Sequence, residues 1–473
     1  MYDGFETYGA MALLAGEPVP DRAGFLIQRA ESGAALAAYR RLRHEEFVER
    51  QQLFAGTDHD DVDDDVRTVV LVAVGADREV LGGVRLSPMQ SPDIGWWVGG
   101  RLTVSARARN SGVGPALIRA ACAYAESHGV LRFDANVQSR HAHAFARLGW
   151  ETLDTNIFRG VRHTRMQWPI GRIRRLAHST KAMLAPVLEP FRGMPGGLGP
   201  SEFRGDDGVP VPGSHGMIAA CDAIIPSMVE RDPEWAGWCS VLVNLNDLAA
   251  MGAAPTGLLD AIGAPTTSHL TRIVRGIARA AEAWGVPVLG GHTQVGVPAS
   301  LAVTALGFTN SPIRSGGGRP GDRLRLTADV SGRWRPGHSG RQWDSTSLRS
   351  TEDLRAMNSL VARMQPAAAK DVSMAGIAGT AGMLAEASGT GVVLDVASVP
   401  RPAAADMASW LTCFPGFGML TVAGEPQPLP DGVTSAECGE LVPGAGVHLR
   451  WPDGLVTTAV PSSVTGLGAA RVS

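Results

Sequence analysis

Apolar positions along the chain follow two periods, alternate residues in some stretches and every three to four in others, which mark strands and helices respectively. Residues 25–30 read as a strand, and residues 34–52 have helical periodicity with charge on one face. Residues 68–74 and 80–86 are rich in β-formers and separated by a Gly-Ala-Asp turn, which predicts a hairpin. A short strand at 102–104 leads through a glycine-containing loop into an alanine-rich helix over 115–128, then a strand over 131–137. Residues 172–191 predict an amphipathic helix, ended by RGMPGGLGP (192–200), a run that breaks regular structure. From residue 200 onward the strand–helix alternation resumes as a second αβ unit. It has strands ending near Asp222 and Gly291, a helix opening near Asn246 and a further break at 315–320.

Composition narrows the picture. The chain has 473 residues, 43 basic and 46 acidic, so a nucleic-acid binder driven by net positive charge is excluded. Its 58 glycines and 31 prolines exclude a rod or coiled coil. Only Lys181 and Lys370 are lysine, and neither stands in the Gly-Lys-Ser/Thr setting of a Walker loop. Lys181 falls in the predicted connecting helix, where no role is expected for it. Five cysteines without a CxxC pair point to free thiols and a cytoplasmic setting. No apolar run is long enough to span a membrane, and the acidic start does not read as a signal peptide. The block DHDDVDDD, Asp58 to Asp65, lacks the glycine and closing glutamate of a calcium loop and is expected to be a solvated surface loop.

Two groups of residues carry chemistry. The first is Arg109-Asn110-Ser111-Gly112-Val113-Gly114, between a strand and a helix. Glycines let the backbone approach an anion, and the N–H groups at a helix start point at it. With Phe145, Gly149 and Trp150 further on, residues 25–170 resemble the GCN5-related N-acetyltransferases. The resemblance implies a mixed sheet flanked by helices, with the coenzyme A pyrophosphate on the amides of 109–114. It also implies acetyl-CoA held along the backbone of Leu102 and Val104. Phe145 stands where many members have a proton-donating tyrosine, which leaves His141 and His143 as candidate catalytic groups.

The second is a set of spaced acids: Asp206-Asp207 in a Gly-flanked loop, Asp222, Asp247 in VNLNDLAAMGAAP, Gly-Gly-His292-Thr, and Lys370-Asp371. Mg²⁺ prefers oxygen ligands and binds through a few carboxylates together with phosphate oxygens. These motifs resemble the superfamily of aminoimidazole ribonucleotide synthetase, selenophosphate synthetase, thiamine monophosphate kinase and the hydrogenase-maturation dehydratase. The resemblance implies a two-part αβ unit that uses ATP and Mg²⁺ to phosphorylate an oxygen of a small metabolite, and homodimerisation through the first of its domains. It implies metal or nucleotide roles for Asp206, Asp207, Asp222, Asp247 and Asp371, and a cofactor-binding role for Asn244 and Asn246, which would orient the loop or contact phosphate. Lys370, one of only two lysines and directly before Asp371, is a candidate catalytic residue whose compact ammonium suits a triphosphate oxygen. His292 and Met374 stand where the superfamily has acids. The polar, Trp- and Arg-rich stretch 334–349 suggests Arg341, Gln342, Trp343 and Asp344 as substrate contacts.

The expected organisation is an extension (1–24), an acetyltransferase-like domain (25–170), a linker helix with a Gly/Pro linker (171–199), an ATP/metal domain (200–314), a second synthetase-like domain (315–440) and a tail (441–473). The fold class is α/β and α+β. The expected function is an acetyl-CoA-dependent N-acyltransferase fused to an ATP- and Mg²⁺-dependent enzyme, acting on small molecules, with neither nucleic-acid nor membrane partners. The competing expectation is a nucleotide- or CoA-binding regulator without turnover.

Overall fold

A computed structural model describes residues 24–338 and 342–469. The chain divides into two compact units, the first ending at Ile170 and the second starting at Gly171.

The first unit is a seven-stranded sheet in the order β1-β2-β3-β4-β5-β7-β6. Its strands are β1 (Phe25–Arg29), β2 (Val69–Gly75), β3 (Val80–Pro88), β4 (Trp96–Val104), β5 (Arg132–Gln138), β6 (Glu151–Phe158) and β7 (Val161–Trp168). The period-2 alternation of β2 explains its two-sided burial. Val69, Leu71 and Ala73 join the core that includes Leu117 and Ala121 of helix α2 (Val113–Ser127). Val70 and Val72 join Tyr39 of helix α1 (Gly33–Arg43) on the other face. The helix predicted over 34–52 is thus split: α1 gives way at His44 to a wider π-type turn through Arg50. Helix α3 (Ala142–Arg147) follows β5.

The acidic block departs from its expectation. The side chains of Asp58 and Asp63 are buried rather than solvated, because three arginines under them demand counter-charges. Arg43 binds Asp58 at 2.7 Å and Asp63 at 2.6 Å, Arg85 reaches Asp60 and Asp63, and Arg101 reaches Asp60 at 2.8 Å.

In the second unit, helices α4 (Arg172–Lys181) and α5 (Leu184–Arg192) replace the single predicted connecting helix. A five-stranded sheet follows in the order β11-β10-β12-β9-β8. It comprises β8 (Val209–Pro210), β9 (Met217–Ala223), β10 (Ala254–Ala264), β11 (Val288–Val295) and β12 (Ser300–Phe308). Short helix α6 (Pro226–Arg231) precedes α7 (Pro233–Ala250), and α8 (Thr267–Trp284) lies between β10 and β11. Every residue of α7 except Glu234 is buried. Helix α8 crosses it closely at paired glycines: a Cβ on Gly276 would stand 2.0 Å from the Glu234 carbonyl oxygen, and one on Gly237 2.2 Å from that of Ile273.

The second domain of this unit is built on a seven-stranded sheet, β16-β19-β13-β20-β17-β21-β22. Its elements in chain order are β13 (Arg323–Asp329), the short strands β14 (Arg333–Trp334) and β15 (Gln342–Asp344), helices α9 (Thr351–Asn358) and α10 (Leu360–Met364), β16 (Ala368–Asp371), helix α11 (Gly376–Ala387) and β17 (Gly391–Asp395). Then come helix α12 (Met407–Leu411), β18 (Phe414–Pro415), β19 (Gly418–Val422), β20 (Val433–Val442), β21 (Val447–Arg450) and β22 (Val456–Val460). The segment from residue 441, expected to be a tail, supplies two strands of that sheet: β21 pairs in parallel with β17, and β22 pairs antiparallel with β21.

Candidate functional site

Three carboxylates from separate elements meet in the second unit. Asp207 comes from the loop before β8, Asp247 from the last turn of α7 and Asp371 from the end of β16, and their oxygens all lie within 4.8 Å of one another. The elements explain the meeting. The backbone N–H of Asp371 donates to Asp207 Oδ2 at 3.0 Å, which locks loop to strand. Lys370, buried beside it, donates to the Gly205 carbonyl at 3.1 Å and to Asp207 Oδ1. Asn244 donates to the Ser240 carbonyl within α7 and accepts the Asp222 N–H at 3.2 Å, tying α7 to β9. Asn246 donates to the Gly416 carbonyl at 3.1 Å, tying α7 to the strand region before β19. Both asparagines are therefore buried struts that hold the acids in place.

The electrostatics are those of crowded negative charge. Burial, then Asp371, Asp222 and Asp207, push the Asp247 carboxyl well above its usual range, and burial and Asp207 do the same to Asp371. Lys370 keeps its charge, because Asp207 and Asp206 outweigh the burial that opposes it. The Asp247 and Asp371 carboxylates accept no hydrogen bond among the described residues. Asp206 turns aside to the N–H and hydroxyl of Ser315 (3.1 Å from the N–H), and burial pushes it up to about 6. Its Oδ2 is buried without a partner. Asp222 lies in the electrostatic range of the group without joining it. An all-oxygen donor set with unmet lone pairs fits a hard divalent cation such as Mg²⁺.

Other expected positions fall elsewhere. The strand expected to end at Gly291 continues, so His292 sits mid-strand on exposed β11, outside the carboxylate group. The helix expected to open near Asn246 begins at Pro233, so Asn244 and Asp247 lie near its end. Met374 is exposed in the turn before α11. Arg341 lies outside the described residues. Trp343 is buried, donates to the Asp329 carbonyl and meets Trp334 and Trp410 edge-on, while Asp344 accepts from Ser347. Gln342 is half-buried in β15.

In the first unit, β4 and β5 run parallel and pair only from Trp96↔Arg132 to Gly99↔Ala135. A register shift against β3 falls where Arg101 adopts φ +53°, a bulge that bends the strand. Beyond it the part of β4 that carries Leu102 and Val104 is not paired with β5. The loop that follows β4 has two left-handed residues, Asn110 (φ +64°) and Gly112 (φ +84°). The N–H groups of Gly112, Val113 and Gly114 meet no acceptor among the described residues. Ser111 Oγ is spent on the Ala108 carbonyl at 2.6 Å. Arg109 binds Glu46, which sits on the π-type turn, at 3.1 Å. Phe145 is buried edge-on to Trp150. His141 and His143 are exposed, and His141 takes a bond from Arg140 at 3.2 Å; burial and Arg140 lower its pKa.

Residues 35–150 match the acetyltransferase (GNAT) family model, residues 205–309 that of the N-terminal domain of AIR synthase related protein, and residues 333–451 that of its C-terminal domain. An uncharacterized protein of Synechocystis sp. is 38% identical over 223 residues, 46% of this chain and 69% of that protein. The chain belongs to the AIR synthase-related family. Its first unit is a GNAT acetyltransferase domain. Thiamine-monophosphate kinase of Synechococcus elongatus is 33% identical over 155 residues, 30% of this chain and 45% of that one. Carbamoyl dehydratase HypE of Cupriavidus necator is 30% identical over 231 residues, 46% and 65% of the two chains. No helix among the described residues of this AIR synthase-related chain is long and apolar enough to cross a membrane.

Sequence reasoning missed three features: Lys181 near the carboxylates, Ser315 against Asp206, and the pairing of Glu46 with Arg109 of the 109–114 loop. The scarcity of lysine was the available signal for the first, and no local motif marks the other two.

Proposed function

We propose that the AIR synthase-related unit uses ATP and Mg²⁺ to phosphorylate an amide or acid oxygen of a small metabolite, and that the GNAT unit transfers an acyl group from acetyl-CoA to an amine. The observation that supports the first reading is the convergence of Asp207, Asp247 and Asp371 within 4.8 Å. These carboxylates would hold Mg²⁺, which would supply positive charge to offset that of a phosphoryl group. Lys370 and the Asp371 N–H keep Asp207 oriented, and the buried asparagines fix α7, so the acids are placed before ligand arrives. A kinase and a dehydratase among the relatives agree with oxygen activation as the reaction class. Incubation of the protein with ATP, Mg²⁺ and panels of amides and carboxylic acids should give substrate-dependent ADP release.

In the GNAT unit the unpaired N–H groups at 112–114 suit a pyrophosphate. Gly112→Val forces a β-branched residue to φ +84°, a strain of about 1–2 kcal/mol that moves those amides. Acetyl-CoA affinity, read by calorimetry, should fall at least about tenfold. With its lowered pKa, His141 is largely neutral at pH 7 and suits accepting the amine proton better than donating one. Phe145 has no proton to give, so the residue at this position would not protonate a departing thiolate.

Phe145 and Met374 also favour a second reading, a ligand-binding regulator. Nucleotide binding without substrate-dependent ADP release would select it. The β10–β11 edge exposes Leu259, Val288, Leu289 and Val295, an apolar surface that suits pairing of two copies. The five cysteines are free, in keeping with a reducing, cytoplasmic setting.

A further inference from the structure

The chain uses arginine for nearly all its cations, yet its only two lysines come to the same carboxylates. Lys370 is committed to Asp207 and the Gly205 carbonyl. Lys181 closes α4, one helical step beyond the buried Ile173 and Ala177 on the same i, i+4 stripe. That stripe docks on α11, where a Cβ on Gly379 would stand 3.9 Å from the Ala177 Cβ. Helix α11 starts five residues after Asp371, so the docking brings the end of α4 to the acid loop. The charges around the half-buried Lys181 ammonium are Lys370, Asp222, Asp371 and Asp207. Among the described residues it makes no hydrogen bond and no ion pair. A cation has been brought to a carboxylate group and spent on none of its members.

We propose that Lys181 is a ligand-binding residue of the nucleotide site, its ammonium reserved for the terminal phosphoryl group of a nucleoside triphosphate. This rests on the ATP-using reading above. A compact ammonium on a flexible stem meets a phosphoryl oxygen as a point charge, a geometry that the broad guanidinium fork does not reproduce. It also balances the charge that a triphosphate brings beside several carboxylates. The same lysine in the last turn of a helix would interact favourably with the helix dipole. That role, however, is indifferent to how many phosphates a ligand carries, and the proposed one is not.

The test is calorimetry on the full chain with Mg²⁺, using β,γ-methylene ATP and ADP as probes, for the wild type, K181M and K181R. The expected result is a loss of about tenfold or more in analogue affinity for K181M, the scale of one charged hydrogen bond. ADP affinity should stay within about twofold, since that contact is absent there. K181R keeps the charge and should recover part of the loss; it also carries the comparison if K181M folds poorly. Equal losses for both nucleotides, or none, would overturn the assignment of Lys181 and leave the ATP-using reading intact. A wild-type protein that binds neither nucleotide overturns that reading and this one with it.

Discussion

Asp247→Asn should silence substrate-dependent ADP release while making the metal-free protein harder to melt. The carboxylate lies near the end of a fully packed helix, near-buried, beside Asp371, Asp222 and Asp207. It accepts no hydrogen bond among the described residues, so the substitution removes no contact in the metal-free state and relieves like-charge crowding. Each kcal/mol relieved should raise Tm by about 1–2 °C in a unit of this size. With Mg²⁺ present the order reverses: the wild type gains stability from binding, by mass action, and the variant does not. Losing a ligand that supports several kcal/mol of charge stabilisation should slow ADP release by on the order of 10²–10³-fold. Thermal melts with and without Mg²⁺, alongside the ADP assay, read both halves. A variant that melts lower without metal, or that retains full activity, would show Asp247 to be a structural acid instead.

Arg43→Ala should be the most destabilising single change in the GNAT unit. The guanidinium is 1% exposed and makes four hydrogen bonds, to Asp58, Asp63 and the Asp58 carbonyl. Its removal strands two buried carboxylates, a defect that costs about 3–5 kcal/mol. The damage should reach the end of β4 that is not paired with β5. Arg101 at the β4 bulge shares the same acids, and Tyr39, under Arg43, donates to the Arg101 carbonyl at 2.8 Å. Urea melts should therefore show a lower midpoint together with weaker acetyl-CoA binding.

The same network sets an acid limit. Burial would raise the carboxyls of Asp60 and Asp63, but the bonds from Arg85 and Arg43 overcome it, so both sit below their ordinary values. Groups lowered in the folded state add stability above their unfolded pKa of about 4 and lose it as pH falls through the folded value. The GNAT unit should thus keep its stability down to about pH 4 and lose it below that, a window that near-UV circular dichroism can follow.

The sequence made the chemistry legible where a short motif fixes local geometry. Asn110 to Gly114 could be singled out because left-handed glycine and free amides are local properties. The acids Asp207, Asp247 and Asp371 could be singled out one by one, but their meeting depends on α7 being buried on all sides, which periodicity does not encode. Asn244 and Asn246 read either as residues that orient the loop or as phosphate contacts, and their amides act as struts. The acidic block misled because charge runs are usually solvated, and the arginines that bury this one lie on α1, β3 and β4. Lys181 was passed over because a helix-end lysine has a ready local explanation, whereas its neighbours are distant in sequence.

The seam between the two units bears on how the gene could be divided. The glycine-rich run 192–200 looks like the natural place to cut, but α4 and α5 precede it and belong to the second unit. The Ala185 N–H bonds to the Thr465 carbonyl at 3.3 Å, so the connector is clasped by the far end of the chain. A separately expressed second half that began at the glycines would leave the α4-docking face of α11 uncovered and lack one of its two lysines. One that began at Gly171 would carry its own lid of helices, and a free-standing ancestor of this half should have possessed an equivalent leader.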